Sequence, residues 1–80
     1  MKLPPATRPP RITSRQLLRA LRKLGWSPTA QRGSHVQLTH PDRSGRVTVA
    51  AHAGETLKPK TLAAILEQAG VTVDELRDTL

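Results

Sequence analysis

Leu17, Leu18, Leu21 and Leu24 recur at helical spacing, and Arg15, Arg19, Arg22 and Lys23 fill positions around them. In a helix of 3.6 residues per turn this gathers one apolar stripe and leaves a basic surface on the other side. The ends of the segment are set by local chemistry. Thr13 with Gln16 three residues on forms a reciprocal capping box, and Ile12 with Leu17 forms the hydrophobic staple across it. Gly25 supplies the left-handed residue at which helices commonly stop.

The period then changes from 3.6 to two. Residues 26 to 31 read as a first strand, which Pro28 assigns to a sheet edge because proline cannot donate to the ladder. Arg32-Gly33-Ser34 is a turn. Residues 35 to 40 alternate, with Val36 and Leu38 on one face and His35, Gln37 and Thr39 on the other. A second turn over residues 41 to 45 leads to a third strand over 46 to 50. Connections this short make the three strands an antiparallel meander. A second helix is expected from Pro59, a favoured first helical residue, with Leu62, Ile65, Leu66 and Ala69 as its apolar stripe and Gly70 at its end. Thr72 and Glu75 repeat the capping-box pattern, so a short terminal helix would carry Leu76 and Leu80. The expected class is α+β in the order α-β-β-β-α. Two helices cover one face of the sheet, and the other face is left open to a ligand.

Residues 1 to 11, with four prolines and three basic groups, read as an extended arm, and residues 12 to 80 as one small domain. Eighty residues leave no room for a large cleft or a cofactor fold, so any active site should lie on an open face.

Charge narrows the partner. The formal net charge is +7, and it is unevenly spread. Residues 1 to 46 hold ten Lys or Arg against Asp42 alone, whereas residues 47 to 80 hold three against five acids. A basic half of this kind suits a polyanion, nucleic acid first, although a solvated basic surface has the same composition. The absence of cysteine excludes disulfides, thiolate zinc sites and Cys nucleophiles. No apolar run reaches the roughly 20 residues of a spanning helix, and no signal-peptide core follows Met1, so a cytoplasmic protein without membrane contact is expected. Trp26, the one aromatic residue, argues against recognition sheets that stack bases on several rings, and its place after a helix end suits the core.

Within this frame His35 has three readings: a strand residue facing solvent, a phosphate donor, or an acid/base catalyst. Metal-free RNA cleavage needs a base for the 2′-hydroxyl, positive charge for the phosphorane and an acid for the leaving 5′-oxygen. Imidazole, with an unperturbed pKa near ~6.5, suits the proton transfers. Ser34 and Arg32 are its chain neighbours, and Gly33 allows close backbone approach to a phosphate. Arg32, Lys58 and Lys60 are phosphate-contact candidates, the two lysines at a helix start where the dipole and free N–H groups also favour anions. His40 shares the parity of Val36 and Leu38 and suits a strand end. His52, after the third strand, suits a structural or loop role, with an auxiliary proton-transfer group or a phosphate donor as the alternatives. The three histidines lack helical ligand spacing and nearby carboxylates, so neither metal nor cofactor is expected.

Three stretches together, LLRALRKLGW, QRGSHVQLTHP and KPKTLAAILEQAGV, resemble the HicA toxins of bacterial type II toxin–antitoxin pairs. The Gly33-Ser34-His35 triplet followed by the TLxxIL and QAG pattern is the specific part, and the resemblance spans about residues 12 to 76. It implies a double-stranded-RNA-binding-domain-like fold, cleavage of mRNA without ribosomes, and silencing by a HicB-like antitoxin that covers the active site. The family's catalytic histidine lies in the Gly-Ser-His triplet, which corresponds to His35. Two positions depart from the family pattern: Leu38 stands where an aromatic is usual and Ala50 where a proline is frequent. The rival readings are a basic RNA- or DNA-binding module without chemistry and a degenerate toxin kept for partner binding.

Overall fold

The computed structural model describes residues 9–52 and 54–80, in the order α1 (Ser14–Lys23), β1 (Ser27–Arg32), β2 (His35–His40), β3 (Arg43–Ala50), α2 (Pro59–Ala69) and α3 (Val73–Thr79). This is the expected α-β-β-β-α succession with the terminal helix added. The first eight residues of the expected arm lie outside the described chain.

Each helix is bounded by the chemistry read from the sequence. At α1, the Thr13 hydroxyl accepts the Gln16 N–H at 3.2 Å and the Gln16 side-chain oxygen accepts the Thr13 N–H at 2.9 Å. Its far end is a Schellman motif. Gly25, at φ 98°, donates to the Arg22 carbonyl, and the Trp26 N–H bonds Leu21 O at 2.9 Å. Because the Trp26 N–H closes the helix, the first strand runs one residue later at each end than the sequence suggested, and Arg32, expected in the turn, is its last residue. Gly70 (φ 66°) and Val71 end α2 in the same way on Glu67 and Leu66. At α3 the Thr72–Glu75 box forms, and the Thr72 N–H, then its hydroxyl, hold the Glu75 carboxyl below the usual carboxylate range.

The three strands form one antiparallel sheet in the order β1-β2-β3. Val36 pairs with Val49 and Leu38 with Val47 on the face beneath the helices. With Leu17, Leu21, Trp26, Leu62, Ile65 and Leu76 they belong to one buried core. The third strand begins three residues earlier than the Ser44-Gly45 pair suggested. Between the Leu38–Val47 and His40–Arg43 pairs, β3 advances four residues while β2 advances two. The surplus is absorbed in a bulge, and Gly45 takes the positive φ of 90° inside the strand rather than in the turn. Leu76 is fully buried, whereas Leu80, beyond the last turn, is 55% exposed and adds nothing to the core.

Long-range contacts complete the frame. The Leu57 N–H bonds Ile12 O at 2.8 Å beside a Thr13–Thr56 bridge, which ties the start of α1 to the loop before α2. One Arg43 guanidinium nitrogen donates to the Ala69 and Gly70 carbonyls at 2.8 and 3.0 Å, placing a cation on the negative end of α2. Replacing it leaves those carbonyls to water, so Arg43→Ala should lower unfolding free energy by about 1 kcal/mol. A urea titration reads the change as a lower midpoint at constant m-value.

Candidate active site

Arg32 and His35 are paired across the β1–β2 hairpin, and Gly33 and Ser34 alone connect them. Gly33 has φ 55°, the positive value that hairpin turns of this length favour at their first position. A Cβ there would meet no described atom within 4 Å, so glycine serves the backbone angle and the surface above it is open. The Ser34 carbonyl accepts the Ala51 N–H at 2.6 Å, which carries the β2–β3 ladder past its last strand pair and holds the tip.

Alternation and register together fix what His35 faces. Its Cα partners are Arg32 on β1 and Ala50 on β3, while Gln37 pairs with Thr48, so all of these project from the face opposite the core. The His35 side chain is exposed and makes no hydrogen bond to a described residue. It lines an open depression of about 950 Å³ along the β3 edge with Thr48 and Ala50. The opposite wall is a flank of α2 that includes Lys60, Thr61, Ala64, Glu67 and Gln68. His35 and Lys60 thus share one concavity, open on the sheet side and walled by a helix. No side chain caps the start of α2, where Lys58 stands at the N-cap position and Pro59 opens the helix. Its first N–H groups therefore add to the positive field around Lys60.

The other expected site residues divide. Lys58 and His52 line a second depression with Ser14, Glu55 and Leu57, and it adjoins the first through Ala50 and Thr61. The loop between is anchored because the hydroxyl of Ser14, a buried polar residue, donates to the His52 carbonyl at 3.2 Å. His52 is therefore fixed at its backbone and exposed at its ring. Arg32 stands beside His35 on the open face without lining either depression. His40 is structural. Its Nδ1 accepts the Asp42 N–H at 3.0 Å, which assigns the proton to Nε2, and Nε2–H donates to Leu24 O at 3.1 Å. Its ring meets Trp26 edge-on at 5.3 Å. Among the described residues no three His, Asp or Glu side chains gather as a metal-ligand group.

Sequence reasoning passed over Thr48, Glu67 and Gln68. Thr48 could have been found from the parity of Val47 and Val49. Glu67 and Gln68 lie seven and eight residues beyond Lys60, two helical turns along the same flank.

A three-stranded antiparallel sheet with α1 and α2 on one face, and a basic hairpin tip on the other, defines a double-stranded-RNA-binding-domain-like α+β domain. Residues 14–71 match the family model described as HicA toxin of bacterial toxin–antitoxin. The chain belongs to the HicA toxin family, which makes it the toxin of a toxin–antitoxin pair with a cognate antitoxin as its partner. No curated relative matches the chain.

Proposed function

We propose that the toxin is an mRNA endoribonuclease in which His35 performs the proton transfer, and that a HicB-like antitoxin silences it by covering the His35 depression. The observation that carries the reading is the exposed imidazole of His35 in the same concavity as Lys60, at the start of an uncapped helix. An imidazole with no hydrogen-bond partner among the described residues is available to a substrate, and the lysine and helix dipole supply charge for a phosphorane without a metal.

In this reaction His35 takes the proton of a ribose 2′-hydroxyl, the oxygen attacks the adjacent phosphorus, and the bond from phosphorus to the 5′-oxygen breaks. The products are a 2′,3′-cyclic phosphate and a free 5′-hydroxyl. The departing oxygen takes up a proton, for which His52 in the adjoining depression is the proposed auxiliary donor. Arg32, Lys58 and Lys60 hold the flanking phosphates, with Gly33 and Ser34 presenting backbone to the strand at the hairpin tip. Among the described residues no helix is long and apolar enough to cross a membrane, and the proposed place of action is the cytoplasm, where mRNA is met.

Expression of the protein alone should arrest growth with loss of full-length mRNA, and co-expression of an antitoxin with an acidic surface should restore both. Unimpaired growth at high soluble expression, with intact mRNA, would contradict the proposal.

A further inference from the structure

The outer flank of α1 holds a second concentration of positive charge that the His35 depression does not use. Arg15, Arg19 and Arg22 lie four and three residues apart, and with Leu18 and Lys23 they line a groove of about 510 Å³. The helix contains no acid. None of the three arginines has a hydrogen-bond or ion-pair partner among the described residues. A merely solvated helix usually carries opposite charges at this spacing, whereas like charges three and four residues apart destabilise it. The chain has acids to spend, but Asp74, Glu75 and Asp78 are placed on α3 instead. Arginine is also the cation whose planar fork matches a phosphate with two parallel donors.

We propose that this arginine face is a second RNA-backbone site, engaging the substrate strand at phosphates remote from the bond cleaved at His35. The inference rests on the ribonuclease reading and adds to it where the rest of the strand runs. Continuity supports it. The depression with His35 and Lys60 adjoins the one with His52 and Lys58, and Ser14, a member of the latter, immediately precedes Arg15. The Ser14–His52 and Ile12–Leu57 hydrogen bonds hold the start of α1 against that loop. A strand leaving His35 past Lys60 and Lys58 therefore meets α1 at its first turn. From Arg15 to Arg22 the helix rises about 10 Å, enough for more than one phosphate contact. An acidic protein surface would also neutralise these arginines, but the place of Arg15 one residue beyond Ser14, which lines the depression of His52 and Lys58, favours the substrate.

The consequence is a dependence on substrate length. Cleavage is compared for a short oligonucleotide confined to the His35 depression and a several-fold longer single-stranded RNA with the same cleavage site. The triple variant Arg15→Gln, Arg19→Gln, Arg22→Gln keeps helix propensity and should stay folded by circular dichroism. On the long RNA its KM should rise about tenfold or more with kcat unchanged, while the short substrate is cut as by wild type. Binding of the long RNA, measured by fluorescence anisotropy in a His35→Ala background, should lose about 2 units of salt slope on adding the three changes. Equal effects on short and long RNA would overturn the proposal. So would unchanged RNA kinetics together with weakened binding of an acidic antitoxin, which would make the face a protein-docking surface. If wild type cleaves neither RNA, the ribonuclease reading is what fails, and the anisotropy measurement alone decides the α1 site.

Discussion

His35→Ala should cleave RNA at least roughly 10²-fold more slowly than the wild-type protein while melting within about 4 °C of it. Two separate observations set the two halves of this expectation. The imidazole is exposed, faces away from the Val36–Val49 and Leu38–Val47 pairs, and has no hydrogen bond to a described residue, so its removal opens no cavity and orphans no partner. Surface changes of that kind usually alter stability by no more than about 0.5 kcal/mol. Yet the same side chain is the histidine of the depression that holds Lys60, and losing a general acid or base costs about 10²- to 10⁴-fold in rate. His40→Ala gives the converse. It removes both hydrogen bonds that join Leu24 and Asp42 to the ring, so it should lower stability by about 1–2 kcal/mol and spare catalysis. Thermal melts and single-turnover kinetics on the two variants separate the roles. A His35→Ala protein that folds and cuts at the wild-type rate would make His35 a strand residue and nothing more.

Gly25→Ala should destabilise the fold by about 3 kcal/mol. Gly25 sits at φ 98°, a region that side chains reach only with strain of roughly 1–3 kcal/mol. Its added Cβ would stand 2.5 Å from Nε2 of His40. That ring cannot simply swing aside, because it is hydrogen-bonded at both nitrogens and packed edge-on against the buried Trp26. Forcing it out adds an overpacking cost of about 1–3 kcal/mol. In a domain this small each 1 kcal/mol shifts Tm by about 4–8 °C, so the melt should fall by 10 °C or more. The double variant Gly25→Ala, His40→Ala should be more stable than additivity predicts, since the second change removes the clash but not the backbone strain. A loss below about 1 kcal/mol for Gly25→Ala would mean that the α1–β1 junction relaxes freely, contrary to the packing described.

What could be read from the sequence was whatever a few neighbouring residues decide. Thr13 with Gln16, Thr72 with Glu75, Gly25 and Gly70 each set a helix end through groups no more than five residues apart, and all were legible. The face of His35 was legible for the same reason, since parity in a strand is local. Its companions were not. Arg32, its neighbour across a two-residue turn, is the exception; that Ala50 flanks it follows from register with β3, and that Glu67 and Gln68 wall its depression follows from how α2 rolls against the β3 edge. Both are outcomes of global packing. That Lys58 and Lys60, two residues apart at one helix start, line two adjoining depressions is likewise set by packing and not by their spacing. The Arg43 contact with the end of α2 crosses 26 residues, and no local pattern announces it. Leu80 shows the opposite error: its period points inward, but the helix stops before the side chain can be covered.

Activation of a ribose hydroxyl by His35 can be read from the substrate's own chemistry. Purified protein is given an end-labelled RNA and the same RNA with a single 2′-deoxy sugar on the 5′ side of the cleaved bond, both in the presence of chelator. The all-ribose strand should be cut to a 2′,3′-cyclic phosphate and a 5′-hydroxyl fragment, and the substituted strand should stay intact at that bond. Equal cleavage of the two strands, or products ending in 5′-phosphate, would contradict activation of the hydroxyl by His35.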